Sequence, residues 1–168
     1  MMEQLSQITV RRARPSDAER IATFVNRTQP QGAPVTGAAV LSRFGTVGFL
    51  IAEAGAEMVG LLGWQVENLV VRVTDFLIFP QRYRVVAGHA LLAAMENAAR
   101  ELQCEAAILF MPADTPQDVL AFWEAFGYGF REVVSLPRAW REAAQEFRGS
   151  GDWVVVKQLR EDRILRPI

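Results

Sequence analysis

Residues Phe76–Glu96 read FLIFPQRYRVVAGHALLAAME: an apolar, strand-like run, then Pro80, Arg82 and Arg84, then Gly88 leading into a second apolar run with a different period. Leu91, Met95, Ala98 and Leu102 recur at helical spacing, with Leu92 and Ala99 widening the stripe, so the spacing predicts an amphipathic helix from Gly88 to Leu102. A strand delivered by a short turn to a helix start is a natural anion site. The first N–H groups of a helix have no intrahelical acceptor, and the helix dipole is positive at that end. Glycine lets an anion approach the backbone closely, and arginine adds charge-assisted contacts. Against this, Val85 and Val86 are branched and poor at adopting positive φ.

The flanking sequence supplies a sheet for that helix to cover. Ile8–Ala13 (ITVRRA) alternates like a strand, and Ser16 with Glu19 three residues on has capping-box spacing that predicts a helix over PSDAERIATFVN. Thr28–Gly37 is rich in Pro and Gly and reads as a loop, followed by a short helix over AAVLSRF. GFLIAEA and EMVGLLGWQVEN are strands joined by a hairpin turn at Gly55, and a third strand, Leu69–Phe79, follows a turn around Glu67 and Asn68. Beyond the amphipathic helix, Glu105–Met111 is a nearly continuous apolar strand of the kind buried on both faces. Thr115 is placed to cap a helix bearing Val119, Phe122, Trp123 and Phe126 on one face, and Gly127 ends it. YGFREVVSL reads as a strand. PRAWREAAQEF reads as a helix with Pro137 in its first turn, and DWVVVKQL as the last strand. The order is that of a mixed sheet with helices on it, in the α/β or α+β class.

Composition narrows the functions. The 168 residues suit one domain spanning 1–168, and 51% apolar with 22% charged residues is the balance of a globular protein. A net charge of -1 with scattered arginines removes the basic footprint of a nucleic-acid binder. No apolar run approaches the roughly 18 residues of a membrane span, and MMEQLSQITV lacks a basic segment followed by an apolar one. The reading is therefore a cytoplasmic protein with no membrane partner. Cys104 and His89 are the only residues of their kinds, which excludes an internal disulfide and a Cys/His metal cage. A hydrolase of the Ser-His-Asp or Cys-His type would have to use His89 as its base.

The element order and two motifs resemble the GNAT superfamily of acyl-coenzyme A dependent N-acyltransferases. The first motif is Phe76–Glu96, similar to the family's cofactor segment, and the second is VLAFWEAFGYGF (Val119–Phe130), similar to its later helix with an aromatic pair, Glu and a glycine followed by an aromatic. The resemblance runs from Ile8 to Leu159. It implies a central, mostly antiparallel twisted sheet of about seven strands flanked by helices. It also implies acetyl-CoA as cosubstrate and an amine, either a small molecule or an amino terminus, as acceptor. Laid on Pro80, the family's usual Arg or Gln falls on Tyr83, its first loop glycine on Val86 and its second on Gly88, so the motif is degenerate. The cofactor-binding residues implied are Ile78, Phe79, Tyr83, Arg84, Val85, Val86, Ala87, Gly88 and His89.

Many family members place a tyrosine acid where this chain has Trp123, whose indole N–H cannot protonate a thiolate at neutral pH. Tyr128 is the candidate acid in its stead, Tyr83 being the other tyrosine. Asp75, the acid on the strand before the cofactor loop, is the candidate base, and Trp64, Glu67 and Trp123 are candidates for contact with the acceptor. The plainer reading pairs Asp75 with Arg72 or another arginine, turns His89 to solvent, uses Cys104 to fill space, and puts Trp140 and Trp153 in the core. The rival from another class is a catalytically silent member that senses acyl-CoA or has lost it. A third reading is a purely structural dimerisation module, a homodimer, which the apolar content and four tryptophans permit but do not demand.

Overall fold

The structure is a computed structural model that describes residues 7–147 and 151–161; residues 1–6 of the opening MMEQLSQITV, 148–150 and 162–168 lie outside the described residues. Strands β1 (Ile8–Arg12), β2 (Gly48–Ala54), β3 (Glu57–Glu67), β4 (Val70–Ile78), β5 (Ala106–Met111), β6 (Gly129–Glu132) and β7 (Trp153–Gln158) hydrogen-bond in the order β1-β2-β3-β4-β5-β7-β6. The helices are α1 (Ala18–Thr28), α2 (Gly37–Arg43), α3 (Arg84–Glu101), α4 (Gln117–Ala125) and α5 (Arg138–Glu146). The β4–β5 ladder is parallel, and the β1–β2, β2–β3, β5–β7 and β6–β7 ladders are antiparallel. This is the mixed, mostly antiparallel seven-stranded sheet with helices that the sequence predicts. Contacts divide the chain into two compact units, Met1–Gln65 with Thr74–Met95, and Val66–Val73 with Glu96–Ile168.

In the first unit the hairpin turns at Gly55, whose φ of 63° is free of cost only for glycine. Register pairs Ile8 with Ala54 and Gly48 with Trp64, and a shift between Ala52 and Glu53 marks an irregularity. Ile21, Phe24, Val40, Phe49, Ile51 and Leu61 form the core between α1, α2 and this sheet. The helix α1 does not start from a Ser16–Glu19 box. A short 3-10 turn, Pro15–Asp17, precedes it, and the Asp17 carboxylate accepts from the Arg14 N–H at 2.7 Å. Asp17 displaces Ser16 because its carboxylate also pairs with Arg11 at 2.9 Å, which a hydroxyl cannot match. The loop before α2 is held by Asn26, whose side-chain amide bonds both the N–H and the carbonyl of Val35.

The helix α3 starts earlier than its apolar spacing predicts, at Arg84, after a 3-10 turn over Gln81–Tyr83. It stops at Glu101, and Leu102, read as part of the buried stripe, is 54% exposed. Leu102 still bonds back to the Ala98 carbonyl, and Gln103 at positive φ ends the run just beyond. Ala87, Leu91, Leu92 and Met95 are the buried face within this unit. A Cβ at Gly60 would lie 2.9 Å from Leu91, so glycine lets β3 meet the helix closely.

In the second unit the first residues of β4, Val70–Arg72, pair with Ala106–Ile108. Val70, Ile108, Val133, Trp140, Ala143 and Val154 build its core, and the Trp140 indole N–H donates to Glu105 at 2.9 Å. Thr115 does not cap α4; its hydroxyl donates to the Pro112 carbonyl and closes the turn before the helix. The strand YGFREVVSL shortens to β6 and then a 3-10 turn, Val133–Ser135, and Pro137 stands just before α5 rather than in its first turn. Gly127 ends α4 at φ 92° as its position predicts. Among the described residues no helix is long and apolar enough to cross a membrane.

Candidate functional site

The segment assigned to a cofactor lies wholly in the first unit. Ile78 closes β4 half-buried, and Phe79 packs on the core with its N–H on the Val59 carbonyl at 2.9 Å and its ring 4.8 Å from the Arg27 guanidinium. Tyr83 is buried, and the Arg82 guanidinium covers its ring at 4.9 Å. The Tyr83 N–H donates to the Pro80 carbonyl at 3.1 Å, and the Arg84 N–H to that of Gln81. Two donors assigned to an anion are thus spent. The open end of the helical run moves back to Gln81 and Arg82, whose N–H groups have no carbonyl one turn earlier within the run. Along it, Val85 is 64% exposed, Val86 and Arg84 are half-buried, Ala87 and Gly88 are buried, and His89 is exposed.

A wrapped pyrophosphate calls for several N–H groups converging from a loop that alternates the sign of φ. Among the described residues positive φ occurs at Asn68, Leu69, Gln103, Gly55, Gly127 and Gly151, none within Gln81–Gly88. What this end offers is the Gln81 and Arg82 N–H groups, the dipole of an 18-residue helix and the Arg82 and Arg84 side chains. That fits one phosphate group.

Asp75 sits on β4 with both carboxylate oxygens engaged. Arg43 Nη2 lies 2.6 Å from Oδ2 and Nη1 3.1 Å from Oδ1, and the Thr74 hydroxyl donates to Oδ2 at 2.6 Å. The partner is Arg43 from α2, whereas Arg72 stacks over Phe110 and Phe147 in the other unit. Arg43 also lies 5.0 Å over the Phe49 ring. A Cβ at Gly63 would overlap Asp75 and Thr74, so that glycine clears the space in which the pair forms. Trp64, half-buried, rests over Gly48, where a Cβ would lie 2.7 Å from its indole nitrogen. With Arg12, Phe44, Val47 and Phe49 it lines a small cavity of about 180 Å³.

The other assigned residues fall in the second unit. Glu67 ends β3 half-buried, before Asn68 and Leu69 at positive φ. Trp123 is 3% exposed and packs edge-on against Tyr128 at 5.2 Å. Tyr128 is 1% exposed, and its hydroxyl donates to Glu96 Oε2 at 2.9 Å, while Lys157 Nζ reaches Oε1 at 2.8 Å. Burial and the adjacent Glu96 carboxylate push the Tyr128 pKa up, which holds the proton on the oxygen. Cys104 is buried, and burial raises its thiol pKa as well.

Sequence reasoning missed three features. Arg43 and Glu96 found partners 32 residues away, which local pattern does not reveal. Trp153, read as core, is half-buried and lines a cleft of about 440 Å³ together with Phe110, Met111, Pro112 and Asp152. The signal available was Asp152 beside Trp153 at a strand start, where a polar and an aromatic side chain meet at the rim of a sheet. Among the described residues, no three His, Cys, Asp or Glu side chains gather as a metal site would need.

No protein-family model and no curated protein matches the chain. Solved structures do match in shape. An acetyltransferase of the GNAT family from Staphylococcus aureus superposes with a TM-score of 0.70 at 14% identity, over 91% of this chain and 99% of that one. The ribosomal-protein-S18-alanine N-acetyltransferase of Escherichia coli gives 0.63 at 13% identity, over 95% and 100%. N-acetylglutamate synthase from Neisseria gonorrhoeae, solved with coenzyme A and N-acetyl-glutamate, gives 0.66 at 18% identity over 92% of this chain, which spans 35% of that enzyme's length. With β4, Pro80 and α3 in sequence, and a seven-stranded sheet in the order found here, the chain has the fold of the GNAT N-acetyltransferases.

Proposed function

We propose that this protein is an acetyl-CoA-dependent N-acetyltransferase that acylates an amine, of a small molecule or an amino terminus, by direct transfer. The observation that carries this reading is the join of β4 through Pro80 to the start of α3, with Arg82 and Arg84 at the positive end of that helix. Gln81 and Arg82 supply N–H donors to a phosphate of coenzyme A, and the two guanidiniums supply charge. When bound, the cosubstrate supplies an acyl thioester. The chain's own contribution is to position acceptor and acyl group, which needs no side-chain acid, and to remove a proton from the incoming ammonium. Asp75 is the carboxylate offered for that proton, which requires it to give up its bonds to Arg43 and Thr74.

A second reading, a silent acyl-CoA-binding module, is favoured by the full engagement of Asp75 with Arg43 and Thr74 and by the enclosure of Tyr128. Calorimetric titration with acetyl-CoA, paired with thiol release over a panel of amines, separates the two. Binding with turnover supports the transferase, and binding without turnover on any amine supports the silent module. A control is Val85→Glu, which sets a negative charge at an exposed site beside the proposed phosphate position without burying it. Undiminished binding in that variant removes the helix start from the site.

A further inference from the structure

The cleft of about 440 Å³ in the second unit has the size of a small-molecule pocket, typically about 300–1,000 Å³. One wall is the end of β5 and the residues after it, Phe110, Met111 and Pro112, and the other is the start of β7, Asp152 and Trp153. Met111 and Trp153 are register partners across the β5–β7 ladder, so the two walls are tied by backbone hydrogen bonds. Phe110 pairs with Val154, so its ring and that of Trp153 lie on opposite faces of the sheet, and each has a partner on its own face. Trp153 stacks on Phe130 at 4.7 Å with 21° between planes, and Arg72 lies 5.2 Å over Phe110. Asp152 is fixed by its carbonyl, which accepts the Val133 N–H at 2.7 Å. Among the described lining residues its carboxylate is the one charged group, and no described residue pairs with it.

We infer that this cleft receives a primary ammonium carried on a flat apolar body, with Asp152 on the ammonium and Trp153 against the body. The inference rests on the transferase reading and gives its acceptor a chemical class. A fixed aromatic wall rewards a planar apolar group by burial and, at Trp153, by attraction of a nearby cation to the ring. A carboxylate at the rim with no partner among the described residues rewards a cation and repels an anion, so acceptors bearing their own carboxylate or phosphate are disfavoured.

The test is calorimetric titration of the whole protein, with and without coenzyme A, using benzylamine and naphthylmethylamine beside the corresponding alcohols and carboxylates. The amines are expected to bind in preference to both, and Asp152→Asn to weaken amine binding by about ten- to hundredfold while leaving the alcohols unchanged. Trp153→Leu is expected to weaken amines and alcohols alike. Equal binding of alcohol, acid and amine, undiminished amine binding in Asp152→Asn, or no amine binding under either condition would overturn the inference. Acetyl-CoA binding in the same preparations keeps the two readings apart. Amines bound without acetyl-CoA binding would sink the transferase and leave the cleft, and the converse would sink the cleft alone.

Discussion

Val86 stands where the family resemblance puts a glycine, and the consequence is a helix that closes early. With Val85 and Ala87 beside it, no residue from Gln81 to Gly88 adopts positive φ, and the helical bonds run back to Pro80 and Gln81. Val86→Gly is therefore expected to tighten acetyl-CoA binding in calorimetry at a cost of about 1 kcal/mol in stability by thermal melting. Unchanged affinity would mean that the side chain at 86 does not limit the site. At Asp75 the competing roles of base and anchor part company in activity rather than in fold. Both members of the Arg43–Asp75 pair are partly exposed, so their coupling in a double-mutant cycle is expected to be about 1 kcal/mol. As a base, Asp75→Asn abolishes acetyl transfer while Arg43→Met preserves it; as an anchor alone, the two variants lose activity together. The sequence marked Asp75 as unusual, an acid in an apolar strand, but its partner lies 32 residues upstream. No local pattern names such a partner.

Elements were legible where hydrophobic period changes and blurred where hydrogen bonds decide a boundary. The shift from strand to helix spacing after Phe79 gave β4 and α3 their identity, and Gly55 and Gly127 marked two turns through a φ that other residues adopt at a cost. The start of α1 at Ala18, after a turn held by Asp17 rather than Ser16, and of α3 at Arg84, depended on an ion pair and on backbone bonds that side-chain pattern does not encode. Glu96 shows the same limit. Buried on α3, it accepts from Tyr128, just before β6, and from Lys157 on β7, joining three elements of the second unit. Tyr128→Phe, which removes a donor from a buried carboxylate, is expected to cost about 1–3 kcal/mol in urea unfolding. A smaller loss would place water where the hydroxyl was.

Across the whole molecule, acid stability is set by carboxylates on arginine. The Arg11 guanidinium, with the Arg14 N–H, outweighs burial and lowers the Asp17 pKa from 3.8 to about 2. Burial pushes Glu53 up, but hydrogen bonds from Arg20 and Arg11 prevail, and it too lies below its usual value. Both folded pKa values are depressed, so their stabilisation is present above the unfolded value and is lost as pH falls through the folded one. Stability followed by circular dichroism is expected to drop between pH 3.8 and about 2. Asp17→Asn is expected to be less stable at neutral pH and to flatten that drop. An unchanged acid profile would mean that Asp17 keeps the same proton affinity in the unfolded chain.

The two units are interleaved along the chain, since Val66–Val73 belongs with residues from Glu96 onward although Thr74–Met95 completes the other unit. During synthesis, which runs from the amino end, the first unit is finished at Met95 while Val70, Val71 and Arg72 still lack the β5 edge that pairs with them at Ala106–Ile108. Without those residues a strand of valines has one side unsatisfied, and an unpaired edge is a template for other chains. A chain ending between Met95 and Ala106 would keep that open edge, so a truncation there is expected to aggregate rather than yield a smaller folded form.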